Sequence, residues 1–427
     1  MRHLNKNSWL EYFNYIIITS IVLFLIFLYD FSSFYISHLF NYIDEIIVAG
    51  LFFAALIRIF YEGYIRFVKV EVIIALMVII ILFVGGLSSI INRNQSLIAI
   101  FSDFFIFIKP FVAYYSGRIV FREFDLAKYY PRIKKLLLTI IFVIGLSVFV
   151  DFMFDYFPTP EIRFGLPAVQ LFFGHPSRYA FALSLSFILL YPSLLSKNNA
   201  VLIIVLLIGA FSLRYKYFGF MIIAMSSIYF VNTKKNIVLK KYLISAAILF
   251  GVLLFIGYDQ LLFHYSSEAL NQGHGRAALS FTSINIATDN FPFGSGFASF
   301  ASYYSGVYYS PLYYDYGISN IYGLSEAYTG YIADSFWPMI VAQFGYVGLT
   351  IYVVILLLYF KLFIDLYNSE IDNLRKKICF SGILILLLLC IDSTSDSIIT
   401  QNRGMASFFL LSLFVNSSLT HRLLRKP

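Results

Sequence analysis

Eight basic residues stand apart from the others in this chain: Arg93, Lys109, Arg163, Arg178, Arg214, Lys216, Arg276 and Arg403. A guanidinium grips phosphate through two parallel hydrogen bonds, and a lysine adds a point charge. Arg163, Arg178, Arg214, Lys216 and Arg276 therefore form a candidate anion-binding set. The competing reading pairs them with acids such as Asp151, Asp155 and Asp392, or with lipid head groups. His175 lies three residues before Arg178 with Pro176 between them, so both share one face at a helix start. Its ring could be a base, a phosphate donor or an interfacial polar group, and His274 is a weaker candidate base. Asp334, with Trp337 behind it, precedes an apolar run. There a carboxylate caps the helix or, desolvated beside a hydroxyl, accepts its proton. Asp392 and Asp396, four apart, read as partners of Arg403. No zinc-type His/Cys spacing, nucleophile elbow or nucleotide loop occurs, so no metal or cofactor is expected.

The elements that must carry these residues are membrane helices. Of 427 residues 60% are hydrophobic and 13% charged, with a mean hydropathy of +0.80. Soluble domains average about 45–50% apolar and about 25% charged, which excludes a soluble enzyme. Twelve spans are expected, at about 12–29, 42–60, 72–91, 97–116, 136–152, 168–194, 199–213, 217–232, 242–258, 336–360, 378–391 and 404–419. With the N-terminus inside, 23 of the 31 lysines and arginines fall in cytoplasmic segments, so both termini are expected there. The net charge of +8 then reflects those segments and not a nucleic-acid partner. Arg2 and Lys6 before the apolar run resemble a signal sequence without a cleavage site, hence an uncleaved first helix. Cys379 and Cys390 fall eleven apart on one expected helix, too distant for a disulfide.

Two loops are expected outside, at 151–175 and 259–335, within a single integral membrane domain, 1–427. The second, 77 residues long, exceeds any plain connector. Arg276 opens an amphipathic stretch ending near Asp289, and the Pro and Gly residues of Asn290-Phe-Pro-Phe-Gly294-Ser-Gly296 mark a turn. Ten tyrosines follow between Tyr303 and Tyr331. Tyrosine offers a face to a sugar ring and is also the ordinary interfacial residue. Tyr308, Tyr314, Tyr328, Tyr331 and Trp337 are the candidate glycan contacts. The span at 200–213 is short, and the turn after it would sink Arg214 and Lys216 below the outer surface, beside a water- or ligand-filled cavity; the alternative is that Lys216 and the flanking tyrosines snorkel to the interface.

In this order the motifs resemble the O-antigen polymerase and ligase superfamily, membrane glycosyltransferases acting on undecaprenyl-pyrophosphate glycans. The resemblance runs from about 135 to 350. Arg163, ten residues and Gly174 are similar to the polymerases' Arg-x10-Gly pattern, and Ser212-Leu-Arg214 resembles the family's Ser-Arg turn. Arg276, Asn290-Phe-Pro-Phe-Gly-Ser-Gly296-Phe and Phe344-Gly-Tyr-Val-Gly-Leu349 follow the family's long-loop order. Two departures stand out. Where ligases carry His-Asn, eleven before the helix glycine, this chain has Asp334-Ser335, as many repeat-unit polymerases do. Ten residues past Arg276 comes Ala287, so the second loop lacks the paired motif.

The resemblance implies an all-α polytopic membrane protein with a type-C glycosyltransferase-like fold and metal-independent inverting chemistry. Donor and acceptor would be undecaprenyl-pyrophosphate-linked glycans at the outer face of a bacterial inner membrane, with a polysaccharide chain-length regulator as a candidate partner. Arg163, Arg178, Arg214, Lys216 and Arg276 would hold pyrophosphate, and Asp334 or His175 would orient or deprotonate the acceptor. The rival readings are an O-antigen ligase delivering glycan to lipid A core and a lipid-linked oligosaccharide flippase. A 77-residue loop does not suit the flippase's two similar halves.

Overall fold

The computed structural model describes residues 2–31, 40, 42–63, 66–157, 161–195, 198–232, 251, 262 and 266–423. The protein is mostly helical. The long helices are α1 (Arg2–Leu23), α2 (Ile43–Glu62), α3 (Lys69–Asn92), α4 (Leu97–Val120) and α5 (Leu126–Phe154). A π turn, Phe24–Leu28, and a last turn, Tyr29–Phe31, prolong α1. A two-stranded hairpin, β1 (Ile162–Arg163) and β2 (Leu166–Pro167), precedes α6 (Pro176–Leu194), α7 (Asn199–Ala210) and α8 (Tyr215–Asn232). Short helices α9 (Ser267–Asn271), α10 (Gly275–Asp289), α11 (Tyr303–Val307) and α12 (Leu312–Asp315) occupy the long loop. The chain ends in α13 (Phe336–Ser369), α14 (Asn373–Asp392) and α15 (Asn402–Leu423).

Each expected span that falls on described residues lies on a helix. The ninth, 242–258, lies outside them apart from residue 251, as do Lys197, Lys234, Lys235, Lys240, Lys241, Asp259, Arg425 and Lys426. Five described helical segments are long and apolar enough to cross a membrane: Glu11–Phe31, Lys69–Asn92, Leu97–Val120, Leu126–Phe154 and Phe336–Ser369. The sixth expected span begins late. Residues 168–175 form a 3-10 turn and the helix cap, because Gly174 at φ 67° and then Pro176 allow the helix to start only at Pro176.

Burial divides the helices into two kinds. α6, α14 and α15 are buried almost all round, the signature of helices inside a core. α3 and α5 leave wide apolar faces open, with Phe83, Phe142 and Phe149 exposed, as helices facing hydrocarbon do. α4 packs between α2 and α15, α13 against α3, α10 and α14, and α6 against α7 and α14. Two groups of charges inside the bundle are paired: Arg118 meets Glu71 (2.6 Å), which also accepts the Tyr114 hydroxyl, and Lys109 meets Asp44 (2.6 Å) and Glu45 (2.8 Å). Lys109, one of the eight outlying cations, is thus a structural partner of α2, and Arg93 ends α3 as an exposed left-handed cap.

Candidate functional site

A break in α13 determines how the long loop meets the bundle. Gly345 is non-helical (φ 62°, ψ −165°), which frees the carbonyls of the preceding turn. Ser295 and Gly296 N–H donate to the Ala342 and Gln343 carbonyls (2.8 and 2.9 Å). Val347 N–H, which would bond Gln343 in an unbroken helix, donates to Pro292 instead (3.3 Å). Irregular backbone among membrane helices is tolerated only when satisfied in this way. A Cβ at Gly294 would strike the Gly345 backbone, and one at Gly345 would strike Pro292, so the turn and the break require glycine on both sides. Asp103, buried in α4, accepts from Ala298 N–H (2.7 Å), and Ser89 from Phe297 N–H (2.8 Å). The loop segment is therefore pinned to α3, α4 and α13.

The other six outlying cations are each paired with an acid. Glu161 holds Arg163 through one carboxylate oxygen (2.7 Å) and Arg214 through the other (2.9 Å). Arg276, in the first turn of α10, meets Asp334 (3.4 Å). Lys216 lies between Asp392 (3.4 Å) and Asp396 (3.9 Å), and Arg403 pairs with Asp396 (2.9 Å). Arg178 pairs with Asp30 at the end of α1's extension (3.1 Å). The pairs share one field. Arg214 feels Arg163 and Arg276, and Asp334 feels Arg276, Asp396 and Lys216. Three of these arginines keep donors in hand, because Nε of Arg214, Nε of Arg276 and Nη1 of Arg403 are buried without a hydrogen-bond partner.

Several pairings differ from those expected. Asp151 accepts from Phe157 N–H, and the partners of Arg163, Arg178 and Arg276 are Glu161, Asp30 and Asp334. The cavity lined by Asp151, Asp155, Ile162, Pro167 and Val169 includes none of these cations. Lys216 is held by two aspartates, with its side chain 11% exposed. Asp334 is not the helix cap; Ser335 takes that position, with its hydroxyl buried and unpartnered. Glu161 and Asp30 escaped sequence reasoning. The only signal for Glu161 was its two-residue spacing from Arg163, which puts both side chains on one side of an extended strand.

His175 caps α6: its Nδ1 accepts from Ser177 N–H (3.2 Å). Burial and then the charges of Arg214 and Arg178 push the imidazole down to about 4, so the ring is neutral. Nε2 also faces a donor, Arg214 Nη2 at 3.3 Å. A neutral ring accepts at one nitrogen only, and the tautomer sets whether that nitrogen meets Ser177 N–H or Arg214. In either tautomer the lone pair is engaged, and the ring has none free for a substrate proton.

Asp334 is opposite in kind. Burial raises it, Arg276 lowers it, Asp396 raises it again, and the carboxyl ends at about 6. Glu161 is ionised: burial pushes it up, but Arg163 and Arg214 outweigh burial and hold it below the usual carboxylate range. The aromatic candidates separate. Tyr328 and Tyr331 join Tyr322 in one partly exposed cluster (centroids 5.0–6.0 Å), and Asp334 N–H donates to the Tyr331 carbonyl. Tyr308 stacks on Tyr304, while Gln95 bonds the Tyr308 carbonyl; the Tyr314 hydroxyl is bonded to Glu326. Trp337 is half-buried with its indole N–H on Ser393 (3.1 Å). No protein-family model and no curated protein matches the chain.

Proposed function

We propose that the protein polymerises undecaprenyl-pyrophosphate-linked oligosaccharide repeat units at the outer face of a bacterial inner membrane, with twelve transmembrane helices and both termini cytoplasmic. One observation carries the reading. Arg163, Arg214, Arg276 and Asp334, spread over 172 residues of sequence, share one electrostatic neighbourhood in which two guanidiniums keep buried, unpartnered Nε donors.

In this reading Arg214 and Arg276, helped by Arg163, Arg178 and Lys216, hold the donor's pyrophosphate, with the neutral His175 ring beside Arg214. A hydroxyl of the acceptor repeat attacks the donor's anomeric carbon. The bond from that carbon to the pyrophosphate oxygen breaks, and the electron pair leaves on the pyrophosphate, where the arginines stabilise it. The hydroxyl proton passes to the Asp334 carboxylate. The Tyr322, Tyr328 and Tyr331 cluster, next to Asp334, offers faces for the acceptor's sugars. The growing chain is thereby transferred to a new lipid-linked repeat. No nucleotide sugar takes part.

The test is to incubate the purified protein with one undecaprenyl-pyrophosphate repeat unit and resolve the products on a gel. A ladder of multiples is expected. Arg214→Ala and Arg276→Ala should each lower the rate by about a hundredfold or more, the cost of removing a donor to developing negative charge. Unchanged polymer length and yield in both variants would overturn the assignment. Transfer to added lipid A core without a ladder would identify a ligase.

A further inference from the structure

Glu161 is the one acid among the described residues that bridges two of the proposed phosphate-binding arginines. Its place is built into the fold. Ala168 N–H donates to the Glu161 carbonyl (3.0 Å), which closes the hairpin around β1 and β2. Val169 N–H donates to the Phe211 carbonyl (2.9 Å), which ties that hairpin to the α7–α8 turn carrying Arg214. The carboxylate therefore lies between Arg163 and Arg214 because two backbone contacts put it there. It engages each arginine through a single oxygen, one at Arg163 Nε and one at Arg214 Nη2, and leaves the buried Nε of Arg214 unused. A phosphate bound by both forks of these arginines would need the space and the charge that Glu161 now takes up.

We infer that Glu161 is a specificity-determining residue: an internal competitor that occupies the Arg163–Arg214 seat and yields only to a ligand carrying at least two negative charges. This rests on the reading of those arginines as a pyrophosphate site. Two arginines and one carboxylate leave one net positive charge between them, with His175 neutral beside Arg214. A phosphodiester head group brings one charge and merely replaces the one it expels. A pyrophosphate brings two or more, keeps both arginines engaged and extends toward Arg276, so it recovers what displacing Glu161 costs. In a membrane where ordinary phospholipids far outnumber any lipid-linked pyrophosphate, such a competitor keeps the seat from filling with the wrong lipid.

A purely structural carboxylate predicts the opposite sign: removing its charge would leave two arginines repelling one another and loosen the site. The experiment measures binding of undecaprenyl pyrophosphate to the purified full-length protein in phosphatidylcholine nanodiscs, with and without phosphatidylglycerol. Wild-type affinity should not respond to phosphatidylglycerol. Glu161→Gln should bind roughly fivefold to tenfold tighter in neutral discs, the scale of a half-exposed charge-assisted bond no longer in competition. Phosphatidylglycerol should erase that gain. Glu161→Asp keeps the charge on an arm one methylene shorter; it should shift affinity the same way by less, and it carries the test if the glutamine variant elutes as aggregate. Equal or weaker binding by the folded variants, or a gain that phosphatidylglycerol leaves intact, would overturn the inference. If wild type and Arg214→Ala bind undecaprenyl pyrophosphate equally, the pyrophosphate seat itself fails, and the inference with it.

Discussion

In the proposed reaction the base is Asp334, because both His175 ring nitrogens already face donors, Ser177 N–H and Arg214 Nη2. A base must be ionised to act. Asp334 sits at about 6 because burial outweighs Arg276, so it is a carboxylate above that pH and a neutral acid below it. The rate of polymerisation should therefore fall tenfold per pH unit as the pH drops through about 6. Asp334→Asn should be slow at every pH and show no such limb. His175, held near 4, should add no inflection at the usual histidine value. A pH–rate profile of both proteins checks this, and a limb that survives in Asp334→Asn would assign it to another group. The stability sign runs the other way. A carboxyl raised in the fold opposes folding when charged, so that penalty is absent below the ordinary aspartate value, grows as the pH rises from there to about 6 and is constant above it.

Among the elements, the turn at 290–297 and the break in α13 act as one device. α13 can carry Asp334 at its start and still pack along α3 because Gly345 interrupts it, and the interruption is stable because Ser295, Gly296 and Pro292 satisfy its backbone. Gly294→Ala should lower stability by about 2 kcal/mol or more, since its Cβ would meet backbone and its φ of 78° lies in the left-handed region. The thermal unfolding midpoint of the detergent-solubilised protein reads this. An unchanged midpoint would mean that the turn does not bear on the helix break. The hairpin at 162–167 is the second such device, since it delivers Glu161 and Arg163 together to the α7–α8 turn.

For the whole molecule, the apolar faces of α3 and α5 turned outward around a core of α6, α14 and α15 fit a protein surrounded by hydrocarbon. The arrangement proposed within the membrane makes an accessible prediction. Tyr322, in the long loop, and Ile371, between α13 and α14, are both strongly exposed. In a background with Cys379 and Cys390 replaced by serine, Tyr322→Cys should react with an impermeant maleimide in intact cells. Ile371→Cys should react only after the membrane is opened. The reverse pattern would invert the topology.

The helical, membrane-type character of this chain was legible in its sequence, because the length and apolarity of a helix are properties of consecutive residues. So were the short α7–α8 turn and the helix opened by Arg276, which depend on local spacing alone. The cation set could be named for the same reason: arginine in an apolar setting is conspicuous wherever it occurs. Of what surrounds the cations, the pairing of Arg403 with Asp396 was legible from their closeness in sequence (2.9 Å in the structure), and the other pairings were not. Glu161, Asp30 and Asp396 reach Arg163, Arg178 and Lys216 across different lengths of chain, and charge–charge distance is set by packing, not by position along the sequence. The same holds for His175, whose ring gains its partners only when the helix start puts Ser177 N–H at one nitrogen and Arg214 at the other. Composition and periodicity thus determined the elements and the kinds of group available. Only the tertiary structure decided which groups face each other, because most partners in the charge cluster lie far apart in the chain and meet only when the helices pack.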